Sequence, residues 1–357
     1  ALVISVPLTF FGGIGAASRC GILVKGANYL EALAKMGVAV FDKTGTLTYG
    51  EFAVTALHPY LISEQQLLHL AAHVERYSNH PIAISLKNAF PNEARCCTVT
   101  DVEEVAGHGV RALVNDKVVA VGNEKMMAAV GAKCVPCSKH HSGTIIHVAI
   151  DGEYAGHIEI SDRIKDDAAE AIAQLKHAGV SKTVMLTGDH KNVAAEVASR
   201  VGIDEYYAEL LPADKVERVQ QFLNEKSQAR TLAFVGDGIN DAPVLARADV
   251  GIAMGALGSD AAIEAADVVL MDDKPSKIAT AIRIAKRTLG IARQNVVFSI
   301  GVKVGVLLLA TCGLATLWLA VFADVGVMVL AVLNATRALH PVQWNIPGDR
   351  LCNVAES

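Results

Sequence analysis

What this sequence has little of narrows the choices first. It has no excess of basic charge: 32 Lys and Arg stand against 37 Asp and Glu, a formal net charge of −5. No global positive field is available to hold nucleic acid, and none is expected as a partner. Its seven cysteines follow no regular disulfide spacing. No signal peptide opens it. Ala1 lies inside an apolar run, so the chain is expected to be part of something longer. Three stretches lack charge almost entirely. Hydrophobic residues reach 52% and mean hydropathy +0.35, and the excess is concentrated in those stretches.

The first stretch, residues 1–17, ends at Arg19 and Lys25. It is slightly short of the roughly 20 residues a membrane helix needs. The second, 296–312, is interrupted by Lys303, and the third, 317–333, by Asp324. Residues 313–316 make a tight hairpin between them. Arg19, Lys25, Lys286, Arg287, Arg293 and Arg337 crowd the ends that the positive-inside rule makes cytoplasmic. The expected topology is one helix running inward, a large cytoplasmic body, then a hairpin out and back through a lipid bilayer. A lysine and an aspartate inside apolar spans are costly in lipid and are functional candidates for that reason.

Between the membrane segments the pattern changes twice. Residues 26–37 read as an amphipathic connector, and 38–41 as a short buried strand that ends at Asp42. Residues 51–160 lack a regular alternation of strands and helices. Strand-like stretches at 110–114, 118–121, 145–150 and 154–160, with helices at 65–75 and 82–89, suggest an inserted α+β domain. From Asp162 alternation sets in: helix 165–178, strand 183–186, helices 192–201 and 213–225, strand 231–235, strand 250–253, helix 259–265 and strand 268–270. Such alternation implies a doubly wound parallel sheet. The strand ending at Asp42 belongs to it, so the α/β domain is split by the insert.

Ligands bind at the carboxyl ends of strands in such sheets. Asp42 sits at one such end, in Phe41-Asp42-Lys43-Thr44-Gly45-Thr46-Leu47-Thr48. A carboxylate there can attack phosphorus and form an aspartyl-phosphate. Three further loops suit the same chemistry. Thr187-Gly188-Asp189 offers a hydroxyl and main-chain amides for phosphate oxygens. Lys215 adds a cation for developing phosphoryl charge. Gly236-Asp237-Gly238-Ile239-Asn240-Asp241 adds carboxylates, the hard oxygen ligands magnesium prefers.

The octet around Asp42 resembles the phosphorylation signature of the P-type ATPases, ion pumps of the haloacid dehalogenase superfamily. The four loops, in this order, resemble their catalytic set. The resemblance implies a haloacid-dehalogenase-like sheet split by a nucleotide-binding insert. It implies that Asp42 is phosphorylated by ATP and that Thr44 and Asp237 help hold Mg2+ with Asp42. Thr187, Lys215 and Asn240 would contact the phosphoryl group, with Asp241 supporting the site. Gly188 and Asp189 would take part in binding the nucleotide. Facing cytoplasmic ATP, the cysteines are expected to be reduced.

Within the insert, Glu75, His80-Pro81, Gly107 and Gly109 match the adenine-pocket positions of the heavy-metal branch. The Ser-Glu-His-Pro usual there reads Ser78-Asn79-His80-Pro81 here. Lys303 and the Asp324-Val325-Gly326 sequence resemble the zinc-, cadmium- and lead-exporting subgroup, with Asp324 a transported-metal ligand and Lys303 its counter-ion. Residues 1–7 resemble the sequence that follows that branch's Cys-Pro-Cys motif. Cys134 and Cys137, with His140 and His141, have the residue types of a tetrahedral zinc site, or form a variable hairpin of the insert.

The expected organisation is a membrane helix (1–24), a connector with the first part of the phosphorylation domain (25–50), a nucleotide-binding domain (51–160) and the rest of the phosphorylation domain (161–275). A cytoplasmic connector helix (276–294), a membrane hairpin (295–335) and a cytoplasmic tail (336–357) follow. The expected whole is a monomeric exporter of divalent heavy metal in a bacterial plasma membrane, its catalytic domains cytoplasmic. The alternatives are a copper(I) pump, a membrane-tethered phosphatase of the haloacid-dehalogenase type, and a non-catalytic metal-binding membrane protein.

Overall fold

In the computed structural model, residues 1–77, 81–90, 97–105, 107–134, 143–237, 241–255, 260–314 and 316–339 are described. They form two compact units. One comprises Ala1–Leu47, Asp166–Gly188 and the chain from Ala198 onward; the other comprises Thr48–Lys165 and Asp189–Val197.

The first unit is built on strands β1 (Ile22–Val24) and β2 (Met36–Asp42), and the second on β3 (Thr48–Pro59), β4 (Val99–Val105), β5 (Gly109–Val114), β6 (Lys117–Gly122), β7 (Thr144–Ile150) and β8 (Glu153–Ile164). The chain then returns to the first sheet with β9 (Lys182–Leu186), β10 (Glu205–Tyr207), β11 (Thr231–Gly236), β12 (Val250–Met254) and β13 (Val268–Leu270).

The first sheet has the order β1-β13-β12-β11-β2-β9-β10, parallel except for β1 against β13. Its central strand β2 reads Met-Gly-Val-Ala-Val-Phe-Asp and is almost wholly buried, the continuous apolar run of a strand covered on both faces. From β2 the chain builds outward to β9 and β10 on one side, then crosses to β11, β12 and β13 on the other. Asp42 therefore ends a strand at a topological switch point, where open sheets of this kind bind ligands. Val40, Val184, Leu186, Leu232 and Phe234 fill the core beside it. Strands β1 and β10 were not expected; each is three residues long, too short to show a period.

The second sheet is antiparallel, in the order β3-β8-β7-β6-β5-β4. Helices Glu64–Val74 and Pro81–Ala89 contribute Leu67, Val74 and Leu86 to a core that includes Val119, Val148 and Ile158. Strands β3 and β4 also escaped the sequence reading. Both lie at sheet edges and pair with register shifts, and β4 is largely exposed, so neither alternates cleanly.

Among the described residues three helices are long and apolar enough to cross a membrane: Leu2–Arg19, Lys277–Thr311 and Val321–Leu339. The second differs from expectation. No break separates a connector from a span; one helix of 35 residues runs through both. At 1.5 Å per residue it is about 52 Å long, beyond the roughly 30 Å of a hydrocarbon core. Small residues let the three helices approach. A Cβ on Gly13 would meet Thr288 Oγ1 at 2.3 Å, and one on Gly12 would meet Ala338 Cβ at 3.0 Å. A buried polar chain also links them. Asn295 Nδ2 donates to Thr9 Oγ1 at 3.3 Å, and Asn334 Nδ2 donates to Asn295 Oδ1 at 2.9 Å. One expectation about cysteine fails: Cys20 is disulfide-bonded, while Cys97, Cys134 and Cys312 are not. Pairing leaves no signature in spacing alone.

Candidate active site

The register of the first sheet assembles the site. Phe41 lies beside Val235 of β11, and Asp42 beside Leu186 of β9. The loops that leave β2, β9 and β11 therefore start side by side. Thr187 follows β9 directly and is buried, its N–H donating to the Tyr207 carbonyl at 3.0 Å. Gly188 and Asp189 come next in the chain. Asp237 follows β11 and is half-buried; Asp241 lies four residues on and is buried. Asn240 lies outside the described residues.

Helix Pro212–Glu225 supplies the cation. Proline at its start fits the first turn, and the Asp214 carboxylate accepts from the Leu211 N–H at 2.9 Å, closing that end. Lys215, in the same turn, donates from Nζ to Asp42 Oδ1 at 2.6 Å and to Asp241 Oδ1 at 3.1 Å. These are short, charge-assisted bonds between groups almost removed from water.

Carboxylate oxygens of Asp42, Asp237 and Asp241 all lie within 4.8 Å of one another, and one lysine bridges two of them. Burial, then the Asp241 charge, raises the Asp42 pKa from 3.8 to about 7, against the lowering effect of Lys215. Burial opposes the charge on Lys215, yet Asp42 and Asp241 hold its pKa above the usual value. The three converging carboxylates offer oxygens of the hard character that Mg2+ takes.

The loop after Asp42 is shaped for this crowding. Gly45 has φ +71°, and a Cβ on it would fall 1.5 Å from Asp237 Oδ2. Only glycine permits both the left-handed backbone and that approach. A Cβ on Gly236 would meet Asp241 Oδ2 at 2.9 Å. Thr44, the other expected Mg2+ contact, is in the extended region at φ −72°, ψ 131°. The sequence reading gave Thr46 no role of its own. Its Oγ1 is buried without a hydrogen-bond partner, unusual for a native interior.

In the second unit Glu75, Gly107 and Gly109 are among the described residues. Glu75 is buried at the C-terminal cap of Glu64–Val74. His80 lies outside the described residues, as do Cys137, His140 and His141. Gly107 has φ +73°, open space beside it, and a carbonyl that accepts from Asn123 Nδ2 at 2.9 Å. Gly109 has a reason of its own: a Cβ there would fall 2.1 Å from the Val121 carbonyl oxygen, across the β5–β6 pair. Asp162 was missed. It accepts from Thr48 Oγ1 at 2.5 Å and from the Gly50 N–H at 3.0 Å, pinning the start of β3. An aspartate late in an antiparallel strand carries no motif that would have flagged it.

In the membrane segments Lys303 Nζ lies 3.2 Å from Asp324 Oδ1, joining helix Lys277–Thr311 to helix Leu317–Thr336. Both side chains are more than half exposed in this chain.

Comparison with known proteins agrees with this geometry. The haloacid dehalogenase-like hydrolase family matches residues 36–249. A zinc-transporting ATPase of Synechocystis is 54% identical over 94% of this chain and 46% of its own length. A cadmium, zinc and cobalt-transporting ATPase of Bacillus subtilis is 54% identical over 95% of this chain and 48% of its own. A crystal structure of a zinc-transporting PIB-type ATPase in its E2.Pi state superposes with a TM-score of 0.84 at 38% identity, over 95% of this chain and 56% of that one. The chain thus spans about half the length of the relatives it matches. By that family match it belongs to the haloacid dehalogenase-like hydrolases, and the relatives it resembles in these comparisons are named as metal-transporting ATPases.

Proposed function

We propose that this chain is the catalytic and C-terminal membrane portion of a pump that exports Zn2+ or Cd2+ across a bacterial plasma membrane at the expense of ATP. The observation that carries the reading is the buried Asp42–Lys215–Asp241 cluster at the switch point, with Asp237 beside it. Asp42 is the nucleophile. One of its carboxylate oxygens attacks the γ-phosphorus of ATP, the bond to the β–γ bridging oxygen breaks, and ADP leaves with that electron pair. The product is an acyl phosphate, which water later cleaves to inorganic phosphate and the free carboxylate.

Lys215 serves both ends of this step. It neutralises Asp42 and Asp241 before transfer and faces the phosphoryl oxygens as charge builds on them. Thr187 and Asn240 contact the same oxygens. Mg2+, held by Asp42, Asp237 and the main chain of Thr44, supplies charge neutralisation to the incoming phosphates. Glu75, His80, Gly107 and Gly109 receive the adenine. Asp324 is the transported-metal ligand, and Lys303 holds that carboxylate neutral when no metal is present. The Lys303–Asp324 pair favours a divalent cargo over copper(I), which takes soft sulfur ligands. The alternative of a tethered phosphatase leaves this ion pair in apolar spans without a role.

With ATP labelled in its γ-phosphate, the complete protein should form an acid-stable, hydroxylamine-labile phosphoenzyme, and Asp42→Asn should abolish it. Labelling that persists in Asp42→Asn removes Asp42 from the role.

A further inference from the structure

Helix Glu64–Val74 carries His69 and His73 four residues apart, so both lie on one face. Their rings stack with centroids 4.3 Å apart. Cys97, two residues before β4, brings its Sγ to 3.0 Å from His69 Nε2. Ligand atoms of His69, His73 and Cys97 all lie within 4.8 Å of one another. The phosphoryl chemistry uses none of these residues.

Hydrogen bonds decide where the lone pairs are. His73 Nδ1 is 3.0 Å from the His69 main-chain oxygen. A carbonyl only accepts, so Nδ1 carries the proton and Nε2 the lone pair. That Nε2 is buried, in a side chain 1% exposed, and has no hydrogen-bond partner. An imidazole whose far nitrogen donates to a carbonyl is oriented as metal-binding histidines are. Asn115 Nδ2 donates to Cys97 Sγ at 3.2 Å, the polarity that suits a thiolate.

We propose that His69, His73 and Cys97 form a binding site for a thiophilic divalent cation, Zn2+ or Cd2+, in the second unit. Two imidazoles and a thiolate select borderline-to-soft metals and disfavour Mg2+ and Ca2+. Three protein ligands leave one tetrahedral position for water. Zn–N bonds of about 2.0–2.1 Å and Zn–S of about 2.3 Å require the His69–Cys97 contact to open by roughly half an ångström on loading. Glu75 caps the same helix two residues beyond His73, so an ion here would stiffen the element that presents that carboxylate. The site stands apart from the transport reading and holds whatever the cargo is. The competing account is a packed aromatic cluster, since His69 also meets Phe90 edge-on at 5.0 Å.

Co2+ binding to the whole chain in detergent separates the two. A thiolate-to-cobalt charge-transfer band in the near ultraviolet reports sulfur ligation, and the Lys303–Asp324 pair, having no sulfur, is silent in it. The band should appear in the parent and in the Cys134→Ser/Cys137→Ser variant, and Zn2+ should bleach it. Cys97→Ser and His73→Gln should each lose it and bind one fewer Zn2+ after gel filtration. If Cys97→Ser fails to fold by circular dichroism, His69→Gln, at a half-buried ring, gives the same readout. No band in the parent, or a band that persists in Cys97→Ser or in His73→Gln, overturns the site.

Discussion

Two of this chain's lysine–carboxylate contacts are alike in chemistry and opposite in setting. Lys215 is 2.6 Å from Asp42 and 3.1 Å from Asp241, and all three side chains are nearly buried. Lys303 is 3.2 Å from Asp324, and both are more than half exposed. In the first, the lysine bridges two carboxylates with the Asp237 carboxylate close by, and burial pushes Asp42 up to about 7. The second is balanced, one charge against one. A buried carboxylate cluster offers hard oxygens to a cation, whereas the pair in the helix hairpin sets one charge against one.

Breaking the first contact should have the larger effects. Lys215→Ala should lower the rate of phosphoenzyme formation by about two to three orders of magnitude, the range seen when one electrostatic stabiliser of a transition state is removed. Rapid-quench labelling measures it, and a loss under tenfold would take Lys215 out of the phosphoryl site. Gly45→Ala should come next. Its Cβ would displace Asp237 and force a left-handed backbone on alanine. Mg2+-dependent labelling should fall steeply, while the thermal midpoint moves only as about 1–3 kcal/mol of strain allows.

The burial of Asp42 also gives a stability prediction with a definite sign. A carboxyl raised from 3.8 to about 7 is costly to ionise in the folded state. Each unit is worth ~1.4 kcal/mol, so the cost is on the order of 2–4 kcal/mol. Below about pH 4 the carboxyl is protonated in both states, and Asp42→Asn should match the parent. Between pH 4 and 7 the variant should pull ahead, and above pH 7 the gain should level off. Metal-free thermal melts across that range test this; a gain that shrinks with rising pH contradicts it. The smallest effect on the phosphoryl site should come from the second contact: Lys303→Ala should leave labelling of Asp42 from inorganic phosphate close to the parent's, and a loss as large as that of Lys215→Ala contradicts it.

The two contacts also differ in how far they could be read from sequence. The catalytic cluster was legible because its residues sit in dense motifs at strand ends, and the parallel order of strands brings those ends together. Asp42 and Asp237 stand at such strand ends, whereas Lys215, on a helix, follows from the resemblance of its motif. The closeness of Asp241 to Asp42 does not, because a side chain's reach across a loop leaves no period. The membrane pair was legible as two costly charges on helices joined by a short turn. The single helix Lys277–Thr311 was not, since neither composition nor a breaking residue says where a connector ends and a span begins. The edge strands β3 and β4, the disulfide at Cys20 and the His69–His73–Cys97 cluster stayed hidden for a shared reason. None of them carries an alternation or a motif of its own.

The link between the two contacts is tested most directly by Asp324→Asn in the complete protein. Phosphorylation of Asp42 from ATP, measured with and without Zn2+, is set beside phosphorylation from inorganic phosphate. The expected result is loss of the Zn2+-stimulated reaction from ATP with the reaction from inorganic phosphate intact, because the chemical site is whole and only the cargo ligand is gone. Normal Zn2+ stimulation in Asp324→Asn would contradict it, and would detach the membrane pair from the pump's cycle.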